Sequence, residues 1–385
     1  MTSRERLLAA LDRGVPDRLP VSAFQLMDYF LRKHMGGATE RECWDLFGLD
    51  AILWTTPYRP DANKGEYLAP LTGKYGLGLR RHLSSPNWRV ECEPLAGETY
   101  PTARYRFITP RGELSMVAQA NEHTVWVAEH LIKEKEDIDL IGDFVTAPSC
   151  DVEAVDEAAR EFGDRGLVRG WVCFFDIFGQ PGCWQDAACL VGIQDLIMAT
   201  YDDPGWVHEL LRILQRRKLS FIESMAGAKY DVVELGGGDA SSTVISPTIF
   251  DTFVTPYDAE LIAAAHRVGL RVVYHTCGGM MPLLEAIADM GSDVMETFTP
   301  REMGGDADLA EAKRRIGHRV CMLGGFDQFH HFQGCSPEET RAEVRRCFKD
   351  AGAGGGYILA PSDHFFDADP ALVKAFADEA HQCVY

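Results

Sequence analysis

Short apolar segments alternate with longer amphipathic ones along most of the 385 residues of this chain. Runs rich in β-branched residues predict strands, and apolar residues three and four positions apart predict helices. Strands are predicted at 17–24, 50–55, 166–172, 231–235, 269–273, 293–297, 319–327 and 356–360, with helices that include 190–200 and 247–268. This alternation is typical of an α/β fold with a parallel sheet, either closed as a (β/α)8 TIM barrel or open and doubly wound. We favour the TIM barrel.

The alternation is interrupted between about residues 75 and 127. Short segments there are separated by turn residues, and Thr109-Pro110-Arg111-Gly112 predicts a tight turn. We interpret the stretch as an antiparallel β ribbon inserted into the barrel. Since no linker rich in Pro, Gly or Ser marks a boundary, residues 1–385 are predicted to form a single domain.

The composition limits the partners of the chain. A formal net charge of -20 argues against nucleic acid and against a strongly anionic substrate. No apolar run is long enough to span a membrane, and the N-terminus has no signal-peptide pattern. The 11 cysteines are scattered, without a CxxC pair, which favours a reducing compartment. We therefore expect a cytoplasmic protein.

A His-x-Cys pair follows the predicted strand at 269–273. Alternate side chains of an extended segment face the same way, so His275 and Cys277 share one side, and Gly278 lets the chain turn away. An imidazole and a thiolate make half of a tetrahedral zinc site. The alternative is a structural pair at a strand end.

The other half of a metal site is predicted from two more strand ends. Glu296 ends the strand after the one carrying Cys277, so the two should be neighbours. Asp363 and His364 follow the last strand, which barrel closure brings to the same mouth. The alternatives are a carboxylate bonded to a helix N-terminus for Glu296, and loop capping or a hydrogen-bonded pair for the other two.

Further side chains at strand ends are candidates for chemistry. Asp239 and Asp327, together with His364, are the predicted catalytic residues, the two aspartates orienting substrate or metal ligands; helix capping is their alternative. Aromatic residues at the same ends predict either an apolar pocket or core packing, and they are Trp171, Phe174, Phe175, Phe326, Phe329 and Phe365.

Several segments resemble one known family. They are Asp17-Arg18-Leu19-Pro20-Val21, Thr109-Pro110-Arg111-Gly112, Ile245-Ser246-Pro247, His275-Thr276-Cys277-Gly278, Gly324-Gly325-Phe326-Asp327 and Gly356-Tyr357-Ile358-Leu359-Ala360-Pro361. The chain resembles the uroporphyrinogen decarboxylase superfamily over nearly its whole length, and specifically the zinc methyltransferase branch that serves cobalamin and coenzyme M. The resemblance implies that His275 and Cys277 bind zinc, and that Glu296 is similar to a ligand of a distant relative.

The chain departs from that branch at one position. The methyltransferases usually carry a Cys ligand after the Ala-Pro of the last strand, where this chain has Asp363 beside His364. A harder ligand makes the metal a stronger Lewis acid, which favours an oxygen substrate over thiol activation.

The leading hypothesis is a zinc-dependent methyltransferase or demethylase. It would move a methyl group from a small methylated substrate, an O-methylated one being an option, to a thiol or to a corrinoid carried by a separate partner protein. The oligomeric state is left open, with a homodimer as one option.

Two alternatives belong to other classes. One is a metal-free decarboxylase of a small carboxylic acid; porphyrinogen itself ranks low, because the segment 22–29 lacks the arginines that grip a polycarboxylate. The other is a non-enzymatic binding protein on the same barrel.

Overall fold

The barrel sheet is built from seven parallel strands. The computed structural model describes residues 1–69, 82–175 and 179–385. In chain order and in sheet order the strands are β1 (Ala51–Trp54), β2 (Gly166–Trp171), β3 (Val232–Gly236), β4 (Val272–His275), β5 (Val294–Thr297), β6 (Cys321–Phe326) and β7 (Tyr357–Pro361). Each strand pairs in parallel with the next, so the carboxyl ends of all seven lie at one mouth. The predicted α/β barrel is confirmed.

The eighth position of the barrel is a bridge of one residue. Val21 pairs with Leu359 of β7, where Ser22 N–H donates to the Leu359 carbonyl at 2.9 Å. On its other side, the Val21 carbonyl accepts from the backbone N–H of Asp50 at 2.7 Å. The Val21 N–H donates to the Asp50 carboxylate at 3.0 Å rather than to a neighbouring strand. The strand predicted at 17–24 is therefore reduced to a short link between β7 and β1.

The amino-terminal end of the barrel is filled by apolar side chains. Ile52, Leu167, Val232, Val273 and Val294 point inwards from successive strands and are at most 5% exposed. The helix Ser3–Leu11 closes this end with Leu7, Ala10 and Leu11. Residues two positions further along each strand form the next layer towards the mouth, as the alternation of strand side chains requires.

Helices surround the sheet. Their N-termini carry the expected capping signals, for example the capping boxes of Thr2 with Glu5 and Ser336 with Glu339. The helices are Ser3–Leu11, Asp28–His34, Glu40–Phe47, Asp137–Phe144, Val152–Phe162, Cys183–Val191, Ile193–Asp202, Pro204–Ser224, Pro247–Ile249, Thr255–Arg267, Leu284–Asp289, Leu309–Ile316, Gln328–His331, Pro337–Ala351 and Pro370–Gln382.

Two predicted helices are interrupted. The helix expected at 190–200 is divided at Gly192, whose φ of 96° lies outside the helical region. The helix expected at 247–268 contains a π-helical segment, Phe250–Val254, directly before Thr255–Arg267. Pro256 has no N–H to donate to the preceding turn, which accounts for a change of hydrogen-bond pattern at this point.

The predicted antiparallel insertion forms two small sheets. Four strands, Arg89–Leu95, Thr102–Thr109, Gly112–Ala120 and Val125–Glu129, pair in sequence order, and Tyr67–Ala69 pairs with His82–Ser84. The Thr109 hydroxyl accepts from the backbone N–H of Gly112 at 3.1 Å, which fixes the predicted turn. Residues 75–81 of the predicted ribbon lie outside the described part of the chain. The single-domain assignment stays a prediction. Within the described ranges, no helix has both the length and the hydropathy needed to cross a bilayer.

A buried carboxyl outside the barrel gives a pH prediction. Asp258, on Thr255–Arg267, is 1% exposed and accepts a hydrogen bond from the Tyr274 hydroxyl at 2.9 Å. Burial raises the pKa of Asp258 to about 6, while that of an unfolded aspartate is about 3.9. Ionisation of Asp258 therefore lowers the free energy of unfolding. This cost is absent below about pH 4, grows as the pH rises, and is complete above about pH 6.

We expect Asp258→Asn to raise the free energy of unfolding by about 2 kcal/mol at pH 8 and to change it little at pH 4. Urea unfolding at the two pH values measures the difference. Asp186 is the matched control, because it forms an ion pair with Lys218 at 2.6 Å. Asp186→Asn should destabilise the protein at pH 8. A loss of stability in Asp258→Asn at pH 8 would contradict this interpretation.

Candidate functional site

The imidazole of His275 and the sulfur of Cys277 lie side by side at the barrel mouth. His275 is the last residue of β4, and Cys277 follows two positions later on the same side. Nε2 of His275 is 3.5 Å from Sγ of Cys277. Gly278 has a φ of 91° and turns the chain away directly after the sulfur. The two predicted ligands are therefore brought together.

Glu296 meets His275 at the opposite ring nitrogen. The two residues pair in the β4–β5 register, and Nδ1 of His275 lies 2.9 Å from Oε1 of Glu296. Since an ionised carboxylate only accepts, Nδ1 carries the proton and donates it. This contact fixes the ring orientation and directs Nε2 at Cys277. Glu296 thus lies beside His275, on the side away from the sulfur.

An arginine inside the barrel holds the carboxylates of this layer. Arg169, on β2, is 1% exposed, and its guanidinium donates to Oε2 of Glu296 at 2.8 Å and to Oε2 of Glu234 at 2.7 Å. It also contacts Oε1 of Glu296 and lies 3.9 Å from the ring centroid of Trp54. Because both carboxylates are paired with Arg169, a buried layer with two negative charges is stable next to His275.

Sequence reasoning missed this arginine. The signal is a charged residue within the otherwise apolar segment Gly166–Trp171, because arginine is almost never buried without a partner. Glu234, in the equally apolar β3, gives the same signal. Either residue alone predicts an ion pair inside the barrel.

The buried charges shift one another's pKa values. Burial disfavours the charged form of His275, but Cys277, Glu296 and Glu234 raise its pKa well above the ordinary value. Burial raises the pKa of Glu234, with Arg169 opposing the shift. For Glu296, burial is outweighed by Arg169 and His275, and the pKa is lowered. The protonated form of His275 is therefore favoured, with Nε2 facing the Cys277 sulfur, and a metal ion bound at Nε2 would displace that proton.

The donor pair fits a zinc ion in chemistry and spacing. A tetrahedral ion with bonds of about 2.0 Å to nitrogen and about 2.3 Å to sulfur separates these donors by about 3.5 Å, which matches the 3.5 Å observed. A Cβ at position 238 would lie 2.8 Å from Sγ of Cys277, so Gly238 keeps the space beside the sulfur clear.

A second group of metal-ligating atoms overlaps with this pair. Atoms of Glu234, His275 and Glu296 all lie within 4.8 Å of one another. A cation held by these three would have to displace the guanidinium of Arg169, which costs a buried ion-pair network. The Nε2 face of His275 is the more accessible position.

Asp363 and His364 follow β7 at the same mouth. The ring centroid of His364 is 4.8 Å from that of Phe24, which lies 5.6 Å from the His275 ring. Nδ1 of His364 is buried and has no hydrogen-bond partner within the described residues. Burial lowers the pKa of His364, so the ring is neutral and can serve as a ligand. The Asp363 carboxylate accepts from the N–H of His364 at 2.7 Å.

The other two predicted catalytic residues differ in their surroundings. Asp239 follows Gly238, near the sulfur, and exchanges two hydrogen bonds of 2.6 Å with Gln185. Burial raises its pKa. Asp327 caps the short helix Gln328–His331, and its carboxylate also contacts Nδ1 of His330 at 2.8 Å. The contacts of Asp327 match the capping alternative and those of Asp239 do not, and the catalytic roles of both residues stay predictions.

Comparison with curated sequences finds relatives that are uroporphyrinogen decarboxylases. Uroporphyrinogen decarboxylase of Neisseria meningitidis serogroup B is 28% identical over 280 residues, covering 70% of this chain and 72% of that protein. The protein of Neisseria meningitidis serogroup C strain 053442 is 28% identical over 191 residues, which are 47% of this chain and 50% of the relative. The chain thus spans half the length of the latter.

A solved structure supports the fold. A methyltransferase from Methanosarcina mazei superimposes with a TM-score of 0.62 over 99% of both chains, at 18% identity. At that identity the likeness establishes the architecture alone.

The family assignment rests on the second half of the sequence. Residues 177–383 match the family described as uroporphyrinogen decarboxylase (URO-D), and this range contains five of the barrel strands and the His275–Cys277 pair. Because the match covers more than half of the chain, this protein belongs to the uroporphyrinogen decarboxylase (URO-D) family of enzymes.

Proposed function

We propose that this enzyme is a zinc-dependent methyltransferase that removes a methyl group from a small O-methylated substrate. The methyl group passes to a corrinoid on a separate partner protein or to a thiol. One observation carries the proposal, namely the 3.5 Å contact of His275 Nε2 with Cys277 Sγ, with Glu296 bonded to the opposite ring nitrogen. A carboxylate that orients a histidine in this way is the usual support of a metal ligand.

The roles of the residues follow from their contacts. His275 and Cys277 would hold the ion, and the neutral ring of His364 or the Asp363 carboxylate would complete the set. When bound, zinc supplies a Lewis acid that stabilises negative charge on an oxygen leaving group. Glu296 keeps the His275 proton on Nδ1, and Arg169 keeps Glu296 ionised and fixed.

The ligand after β7 favours an oxygen substrate. Asp363 or His364 occupies the position at which related methyltransferases have a cysteine, so the predicted set carries one thiolate. A ligand set with fewer thiolates leaves more positive charge on the ion. Such an ion stabilises a departing oxygen anion better than it stabilises a soft thiolate.

The test combines elemental analysis with a methyl-transfer assay. Purified protein should contain stoichiometric zinc, and it should transfer methyl groups from an O-methylated substrate to a reduced corrinoid protein. Removal of the metal with a chelator should abolish transfer, and zinc should restore it. Protein that transfers methyl groups at full rate without metal would overturn the proposal.

Glu296→Gln tests the support of His275. An amide still accepts one hydrogen bond but presents an NH2 group to Arg169, so the ring is held less well. We expect zinc affinity to fall by about 10- to 100-fold, with the fold retained. Competition with a chelating dye measures the affinity. Asp327→Asn, at a carboxylate that caps a helix, is the control and should keep the affinity; an unchanged affinity in Glu296→Gln would contradict the assigned role.

Decarboxylation is the second candidate, and the curated relatives favour it, since they are uroporphyrinogen decarboxylases. Against it, the buried Arg169 is already paired with two carboxylates and has no charge to spare for an acidic substrate. Release of CO2 from uroporphyrinogen or a smaller acid in the presence of a chelator would favour this candidate over methyl transfer.

A further inference from the structure

Four aromatic side chains form a continuous arc around one side of the barrel mouth. Phe24 follows the bridging segment at Val21, Trp54 ends β1, Trp171 ends β2, and Phe174 lies three residues further. Neighbouring ring centroids are 5.7 Å apart for Phe24 and Trp54, 5.0 Å for Trp54 and Trp171, and 5.8 Å for Trp171 and Phe174. These spacings are those of directly contacting rings.

We propose that this aromatic arc binds the ring of an aromatic methyl ether, the substrate class of the methyltransferase proposed above, on which this inference rests. Phe24 is 5% exposed and belongs to the core, but Trp54, Trp171 and Phe174 are only half-buried. Partly exposed indole and phenyl side chains at a barrel mouth lose contact with water when a planar ring packs against them.

The arc leads directly to the candidate ligands. The Phe24 ring lies 5.6 Å from that of His275 and 4.8 Å from that of His364. A ring that packs against Trp54 therefore lies one side chain, that of Phe24, away from His275. The Trp54 indole N–H donates to the Phe24 carbonyl at 3.2 Å, which keeps the first two rings in place.

The charge beneath the arc selects against acidic rings. The Arg169 guanidinium lies against Trp54, but Glu234 and Glu296 neutralise it. Both carboxylates already pair with Arg169, so the guanidinium is not free to bind an anionic substrate. A neutral ether carries no charge that these carboxylates would repel. The same holds for a ring whose phenol group stays protonated while it is bound.

Aromatic ethers also suit the transfer step. The bond between the methyl carbon and the aryl oxygen breaks, and the oxygen keeps the electron pair. The methyl group forms a bond to the reduced corrinoid or thiolate acceptor, and the oxygen then takes up a proton to give a phenol. A phenol has a pKa of about 10, whereas water has a pKa of about 16 and an alcohol a comparable one. An aryl oxygen is therefore a far better leaving group than an alkyl oxygen.

Binding measurements separate this inference from the proposed function, because they need no acceptor. The probes are 2-methoxyphenol and 2-methoxycyclohexanol, which share their oxygens and differ in the ring. With the zinc-loaded full chain, calorimetric titration should show the aromatic ether binding about tenfold more tightly. Trp171→Leu should remove most of that preference. Trp126→Leu is the matched control, since Trp126 packs on Tyr100 in the inserted sheet, and it should keep the preference.

Each outcome decides one of the two claims. Equal affinities for the two ethers, or a preference that survives in Trp171→Leu, would overturn the aromatic site even if another ether is demethylated. Tight binding of 2-methoxyphenol without transfer to any acceptor would support the aromatic site and overturn methyl transfer. Tight binding together with release of 1,2-dihydroxybenzene supports both.

Discussion

Cys277→Ala is expected to lower the zinc affinity of the protein by on the order of 10²- to 10³-fold, because one of few ligands is lost. The rate of methyl transfer should fall by a similar factor or more. The remaining ligands bind less zinc, and the zinc that they do bind has an altered geometry. The side chain is half-buried at the mouth and fills little of the core, so the fold should survive. Metal content by elemental analysis and initial rates of transfer are the two measurements.

A second cysteine provides the control. Cys335 is also half-buried, but it lies outside the barrel mouth, 3.5 Å from the Thr340 hydroxyl. Cys335→Ala should keep both zinc and activity. If Cys277→Ala retains full zinc, the ion is bound elsewhere, and the group of Glu234, His275 and Glu296 becomes the candidate site.

The repeating part of the fold could be predicted because it is local. The spacing of apolar residues within each segment predicts whether it forms a strand or a helix, and seven of the predicted strands are present. The eighth is shorter than predicted, because the Val21 N–H is taken by the carboxylate of Asp50. That carboxylate also binds Arg6 and Arg18. The local sequence around Val21 does not show that a distant carboxylate takes up its backbone N–H.

The site was predictable where neighbours in sequence are neighbours in space. The spacing of His275 and Cys277 predicts one shared side, and the structure joins them. Glu296 was predicted as a ligand next to this pair, but it contacts the far side of His275. Its partner Arg169 lies on a strand more than 100 residues earlier. A sequence pattern shows that an arginine is buried, but not which carboxylates meet it.

Substitution of Arg169 is expected to lower the free energy of unfolding more than any other single change considered for this protein. Arg169→Met leaves Glu234 and Glu296 buried without their arginine, with only His275 beside Glu296, and breaking a buried ion pair by removing one partner costs about 3–5 kcal/mol. The cost should be greater at pH 8 than at pH 5. Without the arginine, burial raises the pKa of both carboxyl groups above that of the unfolded chain, so the penalty is lost as pH falls and they take up protons. Urea unfolding at both pH values measures it.

Two further variants distinguish charge from shape. Adding Glu234→Gln and Glu296→Gln to Arg169→Met removes all three charges, and most of the lost stability should return, because a neutral set no longer leaves a buried charge unpaired. Arg271→Met, at an exposed ion pair with Asp12, should cost less than about 1 kcal/mol. If the triple variant is as unstable as Arg169→Met, then packing of the side chain against Trp54 and Phe24, rather than its charge, is what the barrel needs at this position.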